Sequence, residues 1–241
     1  MAHHMEGKSK LLKGSHLHAC KLPFASWFSV LELASFRLKQ VWLSETAKDI
    51  SVYNMSIESY AMELRGALHQ YPNFPQEGIL FEDFLPIFRE PQLFRKLVEA
   101  FKMHLQEKFP NKKIDYIIGL ESRGFLFGPS LALAIDAGFV PVRKQGKLPG
   151  KIASATYVKE YGEDVFEIQE ESIPEGSNVV IVDDIIATGG SAKAAGELAL
   201  RLKANLLEFL FVMELDFLKG TSKLQAPSFT LLKGQEEALS K

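Results

Sequence analysis

The stretch VVIVDDIIATGGS, residues 179–191, constrains this chain more than any other. It opens with a short apolar run, as expected of a strand buried on both faces of a parallel sheet. Asp183 and Asp184 then stand at the strand's C-terminal end, and Ala187, Thr188, Gly189, Gly190 and Ser191 lead into a helix. In open α/β sheets, ligands bind beyond the carboxyl ends of the strands. Glycines let backbone amides crowd around an anion, and a helix N-terminus adds unpaired N–H donors and a favourable dipole. Thr188 and Ser191 add hydroxyl donors. The loop is therefore a phosphate cradle with two acids beside it. Two carboxylates would repel a polyphosphate unless they face hydroxyls or a metal instead. A ribose 5-phosphate satisfies both parts, its phosphate in the cradle and its 2′- and 3′-hydroxyls donating to the acids. An ordinary strand-to-helix turn needs one capping Ser or Thr, not this whole constellation. No Gly-Lys-Ser/Thr follows the glycines and no G-x-G-x-x-G is present, so neither a P-loop nor a dinucleotide fingerprint is indicated.

Helical spacing of Ile57, Tyr60, Ala61, Leu64 and Leu68 predicts a helix from Ser56 to His69. Prolines and Gly78 break the aromatic stretch from Tyr71 to Phe88 into a loop-rich segment. A second helix runs from Pro91 and is stopped by Pro110. Ile114 to Leu120 reads as a strand, and Phe125 to Ala137 as a helix closed by Gly138 at C′. Phe139 to Arg143 is a strand, followed by a basic loop over residues 144–150. Ala153 to Glu167 is a β hairpin interrupted at residues 160–162. Strands at Asn178 to Asp183, Leu206 to Glu214 and Phe229 to Leu232 enclose a helix from Gly189 to Lys203. Strands alternating with helices imply βαβ units, hence an α/β fold with a central parallel sheet flanked by helices.

The formal net charge of -2 over 241 residues leaves no global basic field for nucleic acid. That figure averages two unlike parts. Residues 1–54 hold seven Lys/Arg and four Asp/Glu, a net +3, and the rest is at -5. The first part also holds the lone Cys20, both tryptophans and four of the six histidines. Its apolar stretch from Phe24 to Leu43 is broken by Glu32, Arg37 and Lys39, too charged for a membrane span. It fits neither a secretory signal nor an Arg-rich transit peptide. Met55 reads like a second start site. Residues 1–54 are expected to be a dispensable extension, and residues 55–241 the functional domain.

Residues 179–191 resemble the 5-phosphoribosyl-1-pyrophosphate (PRPP) motif of the type I phosphoribosyltransferases. Four further stretches, YPNFPQEGILFEDFLPIF (71–88), GLESRGFLFGPSLA (119–132), PVRKQGKLPG (141–150) and TYVKEYG (156–162), resemble the adenine phosphoribosyltransferase family, its fungal members above all. The likeness runs from about Met55 to the C-terminus. It implies the type I fold, with a small hood subdomain within about residues 55–88 and a flexible β loop. It implies that adenine and PRPP give AMP and pyrophosphate, with Mg2+, in purine salvage. It further implies a cytoplasmic homodimer that engages neither nucleic acid nor membrane.

The same resemblance distributes roles. Ser122 and Arg123, on a turn with a cis peptide between Glu121 and Ser122, would meet the pyrophosphate. Arg143, Lys144 and Lys147 would form a pyrophosphate clamp, with Arg143 able to serve the neighbouring subunit. Phe81 would stack on adenine while backbone groups near Leu80 and Glu82 read its edge. Glu160 and Tyr161 would sit on a closing loop, Glu160 as general acid/base. Asp183 and Asp184 would hold the ribose hydroxyls and the water shell of Mg2+, with no direct protein ligand to the metal. The alternatives are a type I transferase for another base, or a noncatalytic PRPP- or purine-sensing regulator.

Overall fold

The computed structural model describes residues 56–74, 77, 80–159 and 162–233. All lie in the unit Met55–Lys241, and the expected extension lies outside the described residues. The elements in chain order are α1 (Ile57–Gly66), β1 (His69–Pro72), β2 (Leu80–Asp83), α2 (Pro86–Arg89), α3 (Pro91–Lys108), β3 (Tyr116–Leu120), α4 (Gly128–Ala134), β4 (Gly138–Lys144), β5 (Ile152–Lys159), β6 (Gly162–Gln169), β7 (Asn178–Ile186), α5 (Gly190–Arg201), β8 (Asn205–Glu214) and β9 (Ser228–Leu232).

A seven-stranded sheet in the order β5-β6-β4-β3-β7-β8-β9 organises the described residues. From β4 to β9 every pairing is parallel. The β5–β6 hairpin joins the edge antiparallel, through Arg143 opposite Glu167 and Lys144 opposite Phe166. The sheet is therefore mixed rather than wholly parallel. Hairpin strands can pair with a neighbour directly, whereas parallel neighbours each need a crossover.

Side chains alternate between two cores, as the pleat requires. Ile117, Val180, Val182, Leu210 and Val212 face one core, shared with Leu97, Phe101 and Leu105 of α3 and Leu131 of α4. Ile118, Val179, Ile181, Phe209 and Phe211 face the other, packed under Ala195, Leu198 and Ala199 of α5. Phe101 stacks on Phe127 with centroids 5.5 Å apart, which locks α3 over the sheet.

Several boundaries differ from the sequence expectation. Helix α1 stops at Gly66, because residues 69–72 pair with residues 80–83 in a two-stranded ribbon. The segment read as loop-rich thus contains strands that no periodicity announces. Helix α4 is shorter than expected; Pro129 occupies its first turn and a 3₁₀ turn at Arg123–Phe125 precedes it. The left-handed residue after α4 is Asp136, at φ 55°, not Gly138. Gly138 instead opens β4, where a Cβ would sit 2.7 Å from the Tyr116 ring. Space selects that glycine, not a helix cap. Strand β7 runs past the two aspartates to Ile186, held by pairing of Asp183 with Phe211 and Ile185 with Met213.

Candidate active site

Strands β3 and β7 pair only as far as Gly119 and Val182. Beyond that point β3 turns away while β7 continues. Chain from β3 crosses to β4 on one side, and β7 leads to β8 on the other, so the order reverses here. Such a switch point opens a crevice beyond the strand ends. A cleft of about 300 Å³ lies there, lined by the turn after β3, the end of β7, the loop into α5 and two aromatic residues of the β5–β6 hairpin.

The turn after β3 contains Glu121, Ser122 and Arg123, and the Glu121–Ser122 peptide is cis. Gly124 follows, and a Cβ there would approach the Val182 carbonyl to 2.6 Å. The absence of a side chain lets the turn rest on the backbone of β7. Arg123 then reaches Asp184, its Nε 3.0 Å from Oδ2. The pair is close but not aligned as a hydrogen bond, and Asp184 Oδ2 is otherwise buried without one.

The two aspartates differ because successive strand residues face opposite ways. Asp184 is 1% exposed and held by Arg123, whereas Asp183 is half-buried. Asp183 Oδ1 accepts from the Asp184 N–H at 3.0 Å. Burial, then repulsion from Asp184, pushes the Asp183 carboxyl well above the usual carboxylate range. Burial raises Asp184 too, opposed by the Arg123 guanidinium. A cation or a set of hydroxyl donors would favour the ionised pair.

Gly189 is the N-cap of α5, at φ 79°, and no side chain caps the helix. The first-turn amides are left without a side-chain partner, as an anion site requires. Ala187, Thr188, Gly189, Gly190 and Ser191 all line the cleft together with Ser122, Arg123, Lys144, Asp183 and Asp184. The sequence-predicted phosphate and carboxylate groups therefore meet in one place.

Other predicted residues stand apart from the lining. Arg143 Nε is 3.2 Å from Glu121, and Arg143 also donates to the Lys147 carbonyl at 3.5 Å. Leu80, Phe81 and Glu82 lie on β2 in the hood ribbon; Phe81 packs edge-on against Phe74, with centroids 5.1 Å apart. Glu82 Oε1 accepts from Gln70 at 2.9 Å. Glu160 and Tyr161 lie outside the described residues, between Lys159 and Gly162.

Glu121, Tyr157 and Phe166 line the cleft without having been singled out in the sequence. Glu121 accepts the Lys144 N–H at 2.9 Å as well as Arg143. Burial raises its carboxyl, but these donors outweigh burial and hold it below the usual range. Its position beside Ser122 and Arg123 was the available signal. Tyr157 and Phe166 meet only through the hairpin, with centroids 4.7 Å apart.

Among the described residues, no three His, Cys, Asp or Glu side chains converge as a metal-ligand set. Two acids, one already paired to Arg123, suit a hard dication that takes its remaining oxygens from substrate and water.

The phosphoribosyl transferase domain model matches residues 86–233. The adenine phosphoribosyltransferase of Kluyveromyces lactis is 82% identical over 187 residues, spanning 78% of this chain and 100% of that protein. Adenine phosphoribosyltransferase 1 of Saccharomyces cerevisiae is 75% identical over 187 residues, with coverages of 78% and 100%. A Saccharomyces cerevisiae adenine phosphoribosyltransferase crystallised with an imino-altritol bisphosphate and adenine superposes with a TM-score of 0.71 at 76% identity, over 72% of this chain and 99% of that one. The Rhodothermus marinus enzyme gives 0.66 at 40% identity, over 73% and 99%.

Proposed function

Because the chain belongs to the phosphoribosyl transferase domain family, among its adenine phosphoribosyltransferases, we infer that it transfers the 5-phosphoribosyl group of PRPP to adenine, giving AMP and pyrophosphate. One observation carries the reading. The Asp183–Asp184 pair and the uncapped amides of residues 187–191 share one cleft with Arg123.

In this reading residues 187–191 receive the 5-phosphate through backbone N–H groups and the Thr188 and Ser191 hydroxyls. Asp183 accepts from the ribose hydroxyls, being the acid not tied to Arg123. Asp184 fixes Arg123, which with Ser122 and Lys144 offers positive charge and donors to the pyrophosphate. The bond from C1′ to the pyrophosphate oxygen breaks with its electron pair leaving on oxygen, and adenine N9 bonds to C1′ from the opposite face. Charge grows on both fragments, so catalysis is mainly positioning and charge stabilisation. Asp183 and Asp184 are the residues that would hold Mg2+ arriving with PRPP, and the ion would supply charge neutralisation at the pyrophosphate. Glu160 acts as general acid/base toward the purine nitrogen, on a loop shared with Tyr161 that shields the reaction from water. Leu80, Phe81 and Glu82 form the adenine platform when the hood meets the cleft.

The domain runs from residue 55 to 241, with residues 1–54 dispensable. A homodimer is part of this reading, with Arg143, which contacts the lining residue Glu121 without itself lining the cleft, serving the neighbouring site. No helix among the described residues is long and apolar enough to cross a membrane. A cytoplasmic setting is part of this reading, since residues 55–241 carry no cysteine and so need no oxidising compartment. The test is a panel of adenine, hypoxanthine and orotate with PRPP and Mg2+, followed by nucleotide formation. AMP from adenine is expected. Product from another base alone overturns the substrate, and product from none favours a sensing role.

A further inference from the structure

We propose that Gly220 and Lys223, on the turn between β8 and β9, are positioning residues for the phosphate loop. The proposal rests on reading residues 187–191 as the cradle for the ribose phosphate. Neither residue lines the cleft. Both meet the loop from behind.

The β8–β9 turn touches four consecutive residues, the last of β7 and the first three of the loop. The Leu215 N–H donates to the Ile186 carbonyl at 2.9 Å. A Cβ on Gly220 would lie 2.2 Å from the Ala187 carbonyl oxygen and 2.8 Å from the Gly189 nitrogen. A Cβ on Gly189 would lie 2.3 Å from the Gly220 carbonyl oxygen. Lys223 Nζ donates to the Thr188 carbonyl at 2.7 Å. Two backbones thus press together with no side chain between them, and a cation secures the join. Lys219, left-handed at φ 51°, bends the chain into this contact.

The arrangement has an electrostatic consequence. In a trans peptide the carbonyl and the following N–H point in opposite directions. The Thr188–Gly189 peptide is trans, since Glu121–Ser122 is the cis bond recorded among the described residues. Holding the Thr188 carbonyl on Lys223 therefore also fixes the direction of the Gly189 N–H, away from Lys223. It keeps a carbonyl oxygen from turning toward a bound phosphate, where like partial charges would repel. A charge-assisted hydrogen bond is strong enough to set that choice.

The test is PRPP affinity, by calorimetry with Mg2+ on the full chain, for wild type, Lys223→Met, Lys223→Arg and Gly220→Ala. Losing a hydrogen bond to a charged group should weaken PRPP binding about tenfold in Lys223→Met. A similar loss is expected in Gly220→Ala, and recovery to within about threefold in Lys223→Arg. The KM for adenine should stay within about twofold, because the base site is not touched. Lys223 is exposed, so Lys223→Met carries the test even where Gly220→Ala fails to fold. Unchanged PRPP affinity in a folded Lys223→Met, or an equal rise in the KM for adenine, overturns the proposal. A wild type that binds PRPP but does not convert adenine overturns the adenine reading and leaves this one standing. A wild type that binds no PRPP overturns both.

Discussion

Asp183 and Asp184 bring two carboxyls side by side in the candidate site. Their carboxyls are pushed upward by burial and, at Asp183, by the neighbouring charge. A carboxyl with a raised folded pKa keeps its proton longer in the native state than in the unfolded one. The native state then binds more protons, so stability declines as pH rises from the ordinary carboxylate range of about 4 through the raised values. Without ligand, the melting temperature should therefore fall over that interval. Asp183→Asn should flatten this dependence and raise the melting temperature at neutral pH, since the amide oxygen can still accept the Asp184 N–H. The same change should cut turnover by about a hundredfold or more, as loss of a preorganised electrostatic partner does. Thermal melts across pH, beside steady-state rates, check both. A variant equally active, or no more stable than wild type, contradicts the assigned role. The identity of these acids was plain in the sequence, and so was the loop after them. Their inequality was not: it follows from strand alternation and from Arg123, which is remote in sequence and arrives through the turn after β3.

At the scale of elements, close approach of backbones sets the cleft. Gly124 lets the turn carrying Ser122 and Arg123 rest on β7. Gly124→Ala should therefore move the turn, costing about 1–3 kcal/mol of stability by overpacking, with PRPP binding weakened along with it. Denaturant titration and calorimetry measure the two effects, and a neutral result would show that the turn tolerates displacement. Helix α3 is anchored differently. Glu208 on β8 is 0% exposed and accepts from His104 at 2.9 Å and Lys108 at 2.6 Å. Glu208→Ala should leave these donors without their acceptor beneath α3 and cost about 1–3 kcal/mol, with the KM for PRPP unchanged. Chemical denaturation and kinetics separate the outcomes; a shifted KM would tie this cluster to the site. The 3.6-residue periodicity made α3 and most of α5 legible. It could not disclose the hood ribbon, because four-residue strands get their stability from pairing that spans a proline-broken segment.

For the whole molecule, the charge asymmetry suggests that residues 1–54 are not needed for activity. Truncation to residues 55–241 should leave kcat, KM and melting temperature unchanged within error, and an insoluble or inactive product would refute this. The parallel α/β class followed from alternating apolar runs and helical stripes, since each pattern has one face or two to bury. The cradle proposed for residues 187–191 was legible in the sequence, because strand, acids, glycines and helix start are contiguous in the chain. Everything that depends on distant segments meeting was decided by the tertiary structure. The hairpin makes the sheet mixed, β3 ends where β7 continues, Glu121 holds Arg143 and Lys144, and the β8–β9 turn backs the cradle. The physical reason is the same in each case. Local sequence fixes what a segment can offer, in donors, charge and conformational freedom, while only packing fixes which segments come close enough to use it.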